Sequence, residues 1–148
     1  ALFRGKKKFT DQGCPWTTFS DPELAHVGLT EAAAEAQCKT IKVYRFPYAH
    51  LDRAVTDGEG EGLAKVVCDK RGHVLGASLL GPGAGEALAE LVLAMRENIT
   101  LERLASTIHV YPTMNRIVRR VGDQRFLEEG LSNTVAKLFG SFKGRRAS

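Results

Sequence analysis

Leu63-Ala64-Lys65-Val66-Val67-Cys68-Asp69-Lys70-Arg71-Gly72-His73-Val74-Leu75-Gly76-Ala77-Ser78-Leu79-Leu80 is the stretch that decides the fold. Two runs rich in β-branched and aliphatic residues flank Asp69-Lys70-Arg71-Gly72, with Asp first and Gly last, as a tight type I turn prefers. The pattern predicts an antiparallel hairpin, strands 63–68 and 74–80. Directly after it, Gly81-Pro82-Gly83-Ala84-Gly85-Glu86 leads into a helix over 86–97. Ala87, Leu88, Leu91, Val92 and Met95 recur there at helical spacing as one apolar stripe.

That glycine-rich turn invites comparison with a dinucleotide loop, G-x-G-x-x-G. Its sixth position is Glu86, whose charge would repel a pyrophosphate at the helix start. The strand before it is half of a hairpin, whereas the fingerprint requires a βαβ unit. It therefore reads as a strand-to-helix turn.

Upstream, Pro15-Trp16-Thr17-Thr18-Phe19 is a short β-prone run. Ser20 and Glu23 stand at capping-box spacing, with Pro22 suited to a first helical turn, so one helical turn is expected before Gly28. Thr30 is expected to cap a helix over 31–38. Residues 41–48 read as a strand ended by Pro47 or lying at a sheet edge. Residues 49–61 are polar and read as an exposed turn. Downstream, Thr100 and Thr113 are expected to cap helices over 101–106 and 114–121. Leu127, Leu131, Val135, Leu138 and Phe142 mark an amphipathic helix over 126–142, with Gly130 as its weak point. Strands followed by a run of helices predict an α+β fold: an antiparallel sheet of about four or five strands with helices packed on one side. The expected division is a linker over 1–14, a domain over 15–125, and a helix with a basic tail over 126–148.

The chain has 148 residues and a net charge of +4. The basic groups Arg4, Lys6, Lys7, Lys8, Lys143, Arg145 and Arg146 lie at the two ends, and without them 14 basic residues face 17 acidic ones. A nucleic-acid domain carries its positive charge on a folded face, so no nucleic-acid partner is expected. No apolar run reaches the roughly 20 residues of a membrane helix, and no apolar segment follows the basic start as in a signal peptide. Cys14, Cys38 and Cys68 are odd in number and at least 24 residues apart. This argues against a disulfide scaffold or zinc ribbon and for reduced thiols in the cytoplasm. Among His26, His50, His73 and His109 no pair has metal-ligand spacing, so no metal site is expected. On its residues alone His109 reads as structural. Tyr111-Pro112 is a candidate cis bond, against a base rate of about 5–6%. The C-terminal helix reads as docked on its own domain or a second subunit rather than on a membrane.

In order, four motifs resemble one family. These are Pro15-Trp16-Thr17-Thr18-Phe19-Ser20-Asp21-Pro22-Glu23-Leu24-Ala25-His26-Val27-Gly28-Leu29-Thr30-Glu31; Arg53-Ala54 followed by Gly62-Leu63-Ala64-Lys65-Val66-Val67; Leu75 to Glu86; and Ile108-His109-Val110-Tyr111-Pro112-Thr113. Together they resemble the C-terminal dimerisation domain of FAD-dependent pyridine nucleotide–disulfide oxidoreductases, the group of dihydrolipoamide dehydrogenase, glutathione reductase and mercuric reductase. The resemblance implies a homodimer whose interface includes Leu88, Leu91, Met95, His109, Tyr111, Pro112, Thr113 and Arg116. It implies partner domains holding FAD and NAD(P)H in an intact parent, with no cofactor and no redox activity in this piece alone. The chain, beginning at Ala1, then reads as part of something longer.

Thiol–disulfide members carry H-P-T-x-x-E, in which the His is an acid–base catalyst and the Glu orients it. Here those positions are Tyr111 and Arg116, while Pro112 and Thr113 match. A phenol with a pKa of about 10 is a poor proton shuttle at neutral pH, and a guanidinium accepts no hydrogen bond. Tyr at this place is similar to mercuric reductases, although no cysteine pair closes the chain. The resemblance thus makes Tyr111, and second to it His109, the residues expected to act in the partner's active site. Tyr111 and Pro112 are expected to lie near the partner's FAD. The competing expectation is a stand-alone regulatory or binding module that uses its basic tails.

Overall fold

A computed structural model of the chain describes the backbone of residues 13–143, with side chains as far as residue 130 apart from 129. The outer parts of the expected linker and basic tail, and the side chains of Leu131, Val135, Leu138 and Phe142, lie outside the described residues.

The expected hairpin is present as β4 (Leu63–Asp69) and β5 (Val74–Leu80). They pair antiparallel, with an irregularity between Val67 and Cys68. The Gly72 N–H donates to the Asp69 carbonyl at 3.1 Å, closing the turn. The Asp69 carboxylate accepts from the Arg71 and His73 N–H groups at 2.8 and 2.9 Å and meets the His73 ring at 3.0 Å. Burial works against its charge, but these donors prevail and hold the Asp69 carboxyl below the ordinary aspartate value.

β4 and β5 sit inside a five-stranded antiparallel sheet, completed by β1 (Trp16–Thr18), β2 (Leu24–Gly28) and β3 (Ile41–Pro47) in the order β1-β2-β5-β4-β3. β3 is an edge strand and ends at Pro47, as the sequence suggests. The edge is covered: the Gln124 side chain accepts from the Arg45 N–H at 3.1 Å and donates to the Arg45 carbonyl at 2.6 Å, standing in for a missing strand.

Alternation places Ala25, Val27, Tyr44, Phe46, Ala64, Val66, Cys68, Ala77 and Leu79 on one face, all buried. Helices α3 (Ala84–Arg96) and α5 (Arg116–Lys143) pack on that face, with α4 (Leu101–Ser106) packed against α5. Helix α1 (Glu31–Gln37) departs from the one-sided expectation. Its Glu31 reaches Arg45 and Lys65, which alternate with the buried face and so lie on the opposite one. Thr30 caps α1 as expected, accepting from the Ala33 N–H at 3.2 Å.

Three local expectations are corrected. The stretch 20–28 holds a strand, β2, instead of a helical turn. The Asp21–Pro22 bond is cis, and the Glu23 carboxylate accepts from Gly85 N–H at 3.1 Å rather than from the Ser20 backbone. Pairing with β5 outweighs a cap that has no helix to complete. The stretch 49–61 is not one exposed turn: a 3-10 turn (Tyr48–His50) leads into α2 (Asp52–Asp57), anchored by the buried Tyr48, Leu51 and Ala54. Finally, the helices expected over 114–121 and 126–142 are one helix, α5, which passes position 125 unbroken. Thr113 does not cap it by its side chain; its hydroxyl donates to the Val110 carbonyl at 2.8 Å. Thr100 occupies the N-cap of α4 without a side-chain bond.

Arg125 explains the continuity of α5. It is 3% exposed, and its guanidinium donates to Glu102 of α4, to the Tyr44 hydroxyl at 3.2 Å and to the Lys70 carbonyl at 3.4 Å. One side chain thus ties α5 to α4, to β3 and to the hairpin turn. Gly122 brings α4 and α5 together: a Cβ there would stand 2.8 Å from both the Leu101 carbonyl oxygen and the Ala105 Cβ.

Candidate functional site

The segment between α4 and α5 leaves the body of the domain. Ile108 is 92% exposed, Val110 77% and Tyr111 61%. Three large apolar side chains in four residues face away from the core, although the hydrophobic effect would favour burying each. Among the described residues, no main-chain N–H of 108–112 bonds to another element.

Side chains hold the segment instead. The His109 ring turns inward and is only 6% exposed. Its two nitrogens both face acceptors: Nδ1 the Thr107 carbonyl at 2.9 Å, Nε2 the two Glu90 carboxylate oxygens at 3.0 and 3.2 Å. The Asn115 amide donates to the same carboxylate at 2.9 Å. On the other side the Arg116 guanidinium lies over the Tyr111 ring, 4.6 Å from its centroid, a cation–π contact. Arg116 also stands 3.9 Å from the Asp52 carboxylate. The Tyr111–Pro112 bond is cis, as the sequence raised, and Pro112 is exposed. A cleft of about 460 Å³ runs between Glu90, Asn115 and the segment.

The expected site residues therefore separate. Tyr111, Pro112, Thr113, His109 and Arg116 come together, Tyr111 and Pro112 on the surface and His109 behind them. Leu88 and Leu91 do not join them. At 2% and 1% exposure they are spent on the core against the sheet, and little of them is left to meet a second subunit. The apolar stripe of α3 is a core stripe, and Met95 packs half-buried against that core. The exposed side of α3 carries Ala89 and Leu93. Beside it lies an apolar groove shared with Trp16, Phe19 and Val92. Glu90 and Asn115 were not anticipated: 19 residues separate Glu90 from His109, and only the packing of α3 against the segment reveals the pair.

The start of α3 confirms the reading of the glycine-rich turn. Gly83 is its N-cap, with a left-handed φ of 64°, and the anion bonded at the first turn is the chain's own Glu23. Among the described residues no cluster of three His, Cys, Asp or Glu side chains is placed to hold a metal ion, and no helix is long and apolar enough to cross a membrane.

Known proteins place this geometry. Dihydrolipoyl dehydrogenase of Haloferax volcanii is 41% identical over 116 residues, covering 78% of this chain and 24% of the relative. That of Halobacterium salinarum is 46% identical over 105 residues, 70% of this chain and 22% of the relative. The chain thus spans about a quarter of the length of these relatives. Among solved structures, LpdA from Mycobacterium tuberculosis superposes with a TM-score of 0.75 at 25% identity, over 81% of this chain and 26% of that one. The HOCl-induced flavoprotein disulfide reductase RclA from Escherichia coli does so with a TM-score of 0.75 at 27% identity, over 82% and 28%. The family profile described as the pyridine nucleotide-disulphide oxidoreductase dimerisation domain matches residues 14–121, from the turn before β1 to the first turns of α5, and the chain belongs to that family.

Proposed function

We propose that this chain joins two subunits of a FAD-dependent NAD(P)H:disulfide or metal-ion oxidoreductase, and that its Tyr111 and Pro112 reach the active centre of the second subunit. The observation that carries the reading is the outward segment: Ile108, Val110 and Tyr111 exposed together, with His109 and Arg116 bracing them from behind. The names of the family and of the relatives support association and flavin-linked chemistry in the longer protein.

Magnitudes bear on how association is achieved. Full burial of a large apolar side chain contributes about 1.5–3 kcal/mol, so the three offer roughly 5–9 kcal/mol together. Association costs about 4–15 kcal/mol in lost freedom. The segment alone is marginal, so the exposed side of α3 and the groove with Trp16 and Phe19 are needed as well. The interface is then built from Ala89, Leu93 and the segment 108–113, with Leu88 and Leu91 supporting it from within.

In the longer protein, bound FAD would carry electrons between NAD(P)H and the substrate. Tyr111 and Pro112 suit a place beside such a ring system: an exposed aromatic face with a cation behind it and a hydroxyl that can donate or accept. Tyr111 then positions substrate by hydrogen bonding, and Arg116 steadies its ring. His109 supports the segment from within. The isolated chain carries no redox activity of its own. The three unpaired thiols support a reducing compartment, the cytoplasm.

Sedimentation of the 148-residue chain tests the association. A dimer that Val110→Asp converts to monomer is expected; a strict monomer at several hundred micromolar (roughly the low end of useful affinity) overturns it. In the longer protein, Tyr111→Phe is expected to lower kcat about 10²-fold, as loss of one transition-state donor does, with FAD retained. Unchanged kinetics would show that Tyr111 only packs.

A further inference from the structure

Glu90 joins three parts of the molecule through one carboxylate. It sits on α3, and its carboxylate holds His109 of the outward segment and Asn115 at the entry to α5, at 2.9–3.2 Å. It is partly shielded, at 21% exposure, and the imidazole it grips is 6% exposed. Without a main-chain bond from 108–112 to another element among the described residues, the segment's direction depends on its side-chain tethers. Among the described residues two of these reach a helix: the His109–Glu90 contact towards α3, and the Tyr111–Arg116 stack towards α5. The first is the more shielded and the more directional. A carboxylate with two donors on it fixes distance and angle, whereas a ring–guanidinium stack tolerates sliding.

We propose that Glu90 is the positioning residue of the Tyr111 segment. By gripping His109 and Asn115 with one carboxylate, it sets the direction in which Ile108, Val110 and Tyr111 leave the domain. The three apolar residues are thereby held outward, where collapse onto the exposed side of α3 would otherwise hide them from a partner. The proposal rests on the reading above that this segment meets a second subunit. Glu90 touches no reacting group; it acts through His109.

The test pairs two measurements on the 148-residue chain, with Glu90→Ala and the isosteric Glu90→Gln. Backbone order parameters of residues 108–112 are expected to fall from the rigid range of about 0.85 to below about 0.6 in Glu90→Ala, while α3 and β5 keep theirs. Glu90→Gln retains one acceptor and should fall between. The self-association constant is expected to weaken at least ten-fold in Glu90→Ala. His109→Ala should weaken it similarly, with the double variant no weaker than either single one, because both act through one contact. Unchanged order parameters in the segment overturn the proposal whatever the association does. An equal fall throughout α3 also overturns it, since Glu90 would then support the helix generally. A segment loosened in isolation with association unchanged upholds Glu90 as the clamp and removes the reading of the segment as a subunit contact.

Discussion

Loss of Arg125 should cost the domain heavily. Truncation to Ala would leave the Glu102 carboxylate without its guanidinium partner and the Tyr44 hydroxyl and Lys70 carbonyl each one donor short. The site is shielded, Arg125 at 3% and Tyr44 at 6% exposure. Burial opposes the charge of Arg125, but the bonds to Glu102 and Tyr44 prevail and hold its pKa above the ordinary value. Breaking a buried pair by removing one member costs about 3–5 kcal/mol, because the remaining charge stays buried and unpaired. Glu102 is 20% exposed at its side chain, so water can relieve part of that, and the lower end, about 3 kcal/mol, is the expected loss. For a chain near 150 residues each kcal/mol shifts Tm by about 2–4 °C, so a fall of roughly 6–12 °C should follow. Thermal and urea unfolding, read by circular dichroism, measure it. The control is a double variant: Arg125→Met together with Glu102→Leu removes both charges and keeps volume, and such replacement is often neutral or stabilising. The double variant should therefore recover most of the loss. A single variant within about 1 kcal/mol of the parent would refute the reasoning. So would a double variant as unstable as the single, since the cost would then lie in packing rather than in the abandoned carboxylate.

Three further outcomes follow from burial and backbone geometry. Burial pushes the Cys68 thiol up to about 12, so at pH 8 it should resist a thiol reagent in the native chain while the exposed Cys14 reacts, labelling only on unfolding; rapid native labelling would show that β4 opens. The same raised value favours the neutral thiol in the folded state, so its contribution to stability is full below the unfolded value of about 8.5 and is lost as pH climbs towards about 12. Gly28→Ala should destabilise far more than Gly58→Ala, although both residues have left-handed φ, 77° and 74°. Each pays about 1–2 kcal/mol for the backbone conformation, but only at Gly28 would the new Cβ stand 2.4 Å from the Leu75 carbonyl oxygen. Equal losses in denaturant titrations would mean that β2 shifts freely against β5.

Much of the architecture was legible because it rests on local chemistry. The 63–80 hairpin follows from two aliphatic runs around Asp69 and Gly72, and α1 from Thr30 before an alanine-rich run. The strand 24–28 was missed because Ser20, Pro22 and Glu23 satisfy a helix-start pattern, and nothing nearby reveals that β5 is waiting to pair with it. The helix at Asp52–Asp57 was missed because its supports, Tyr48, Leu51 and Ala54, are too few to show a period. At the site, the order of motifs pointed to Tyr111 and Pro112. It could not separate Leu88 and Leu91, which line the core, from Ala89 and Leu93, which do not, because a helix between a sheet and a surface has two apolar sides.

By itself the sequence determined the antiparallel α+β class, the hairpin at its centre, the family, and the presence of Tyr111, Pro112 and Arg116 in one short stretch. These are properties of residues and their order. The tertiary structure alone decided which face of α3 is spent, that α5 is one helix fastened through Arg125, and that Glu90 holds His109 from 19 residues away. The physical reason is that burial and hydrogen-bond partnership belong to pairs of distant residues. A carboxylate at position 90 is an ordinary surface glutamate until the fold brings an imidazole within 3.0 Å of it.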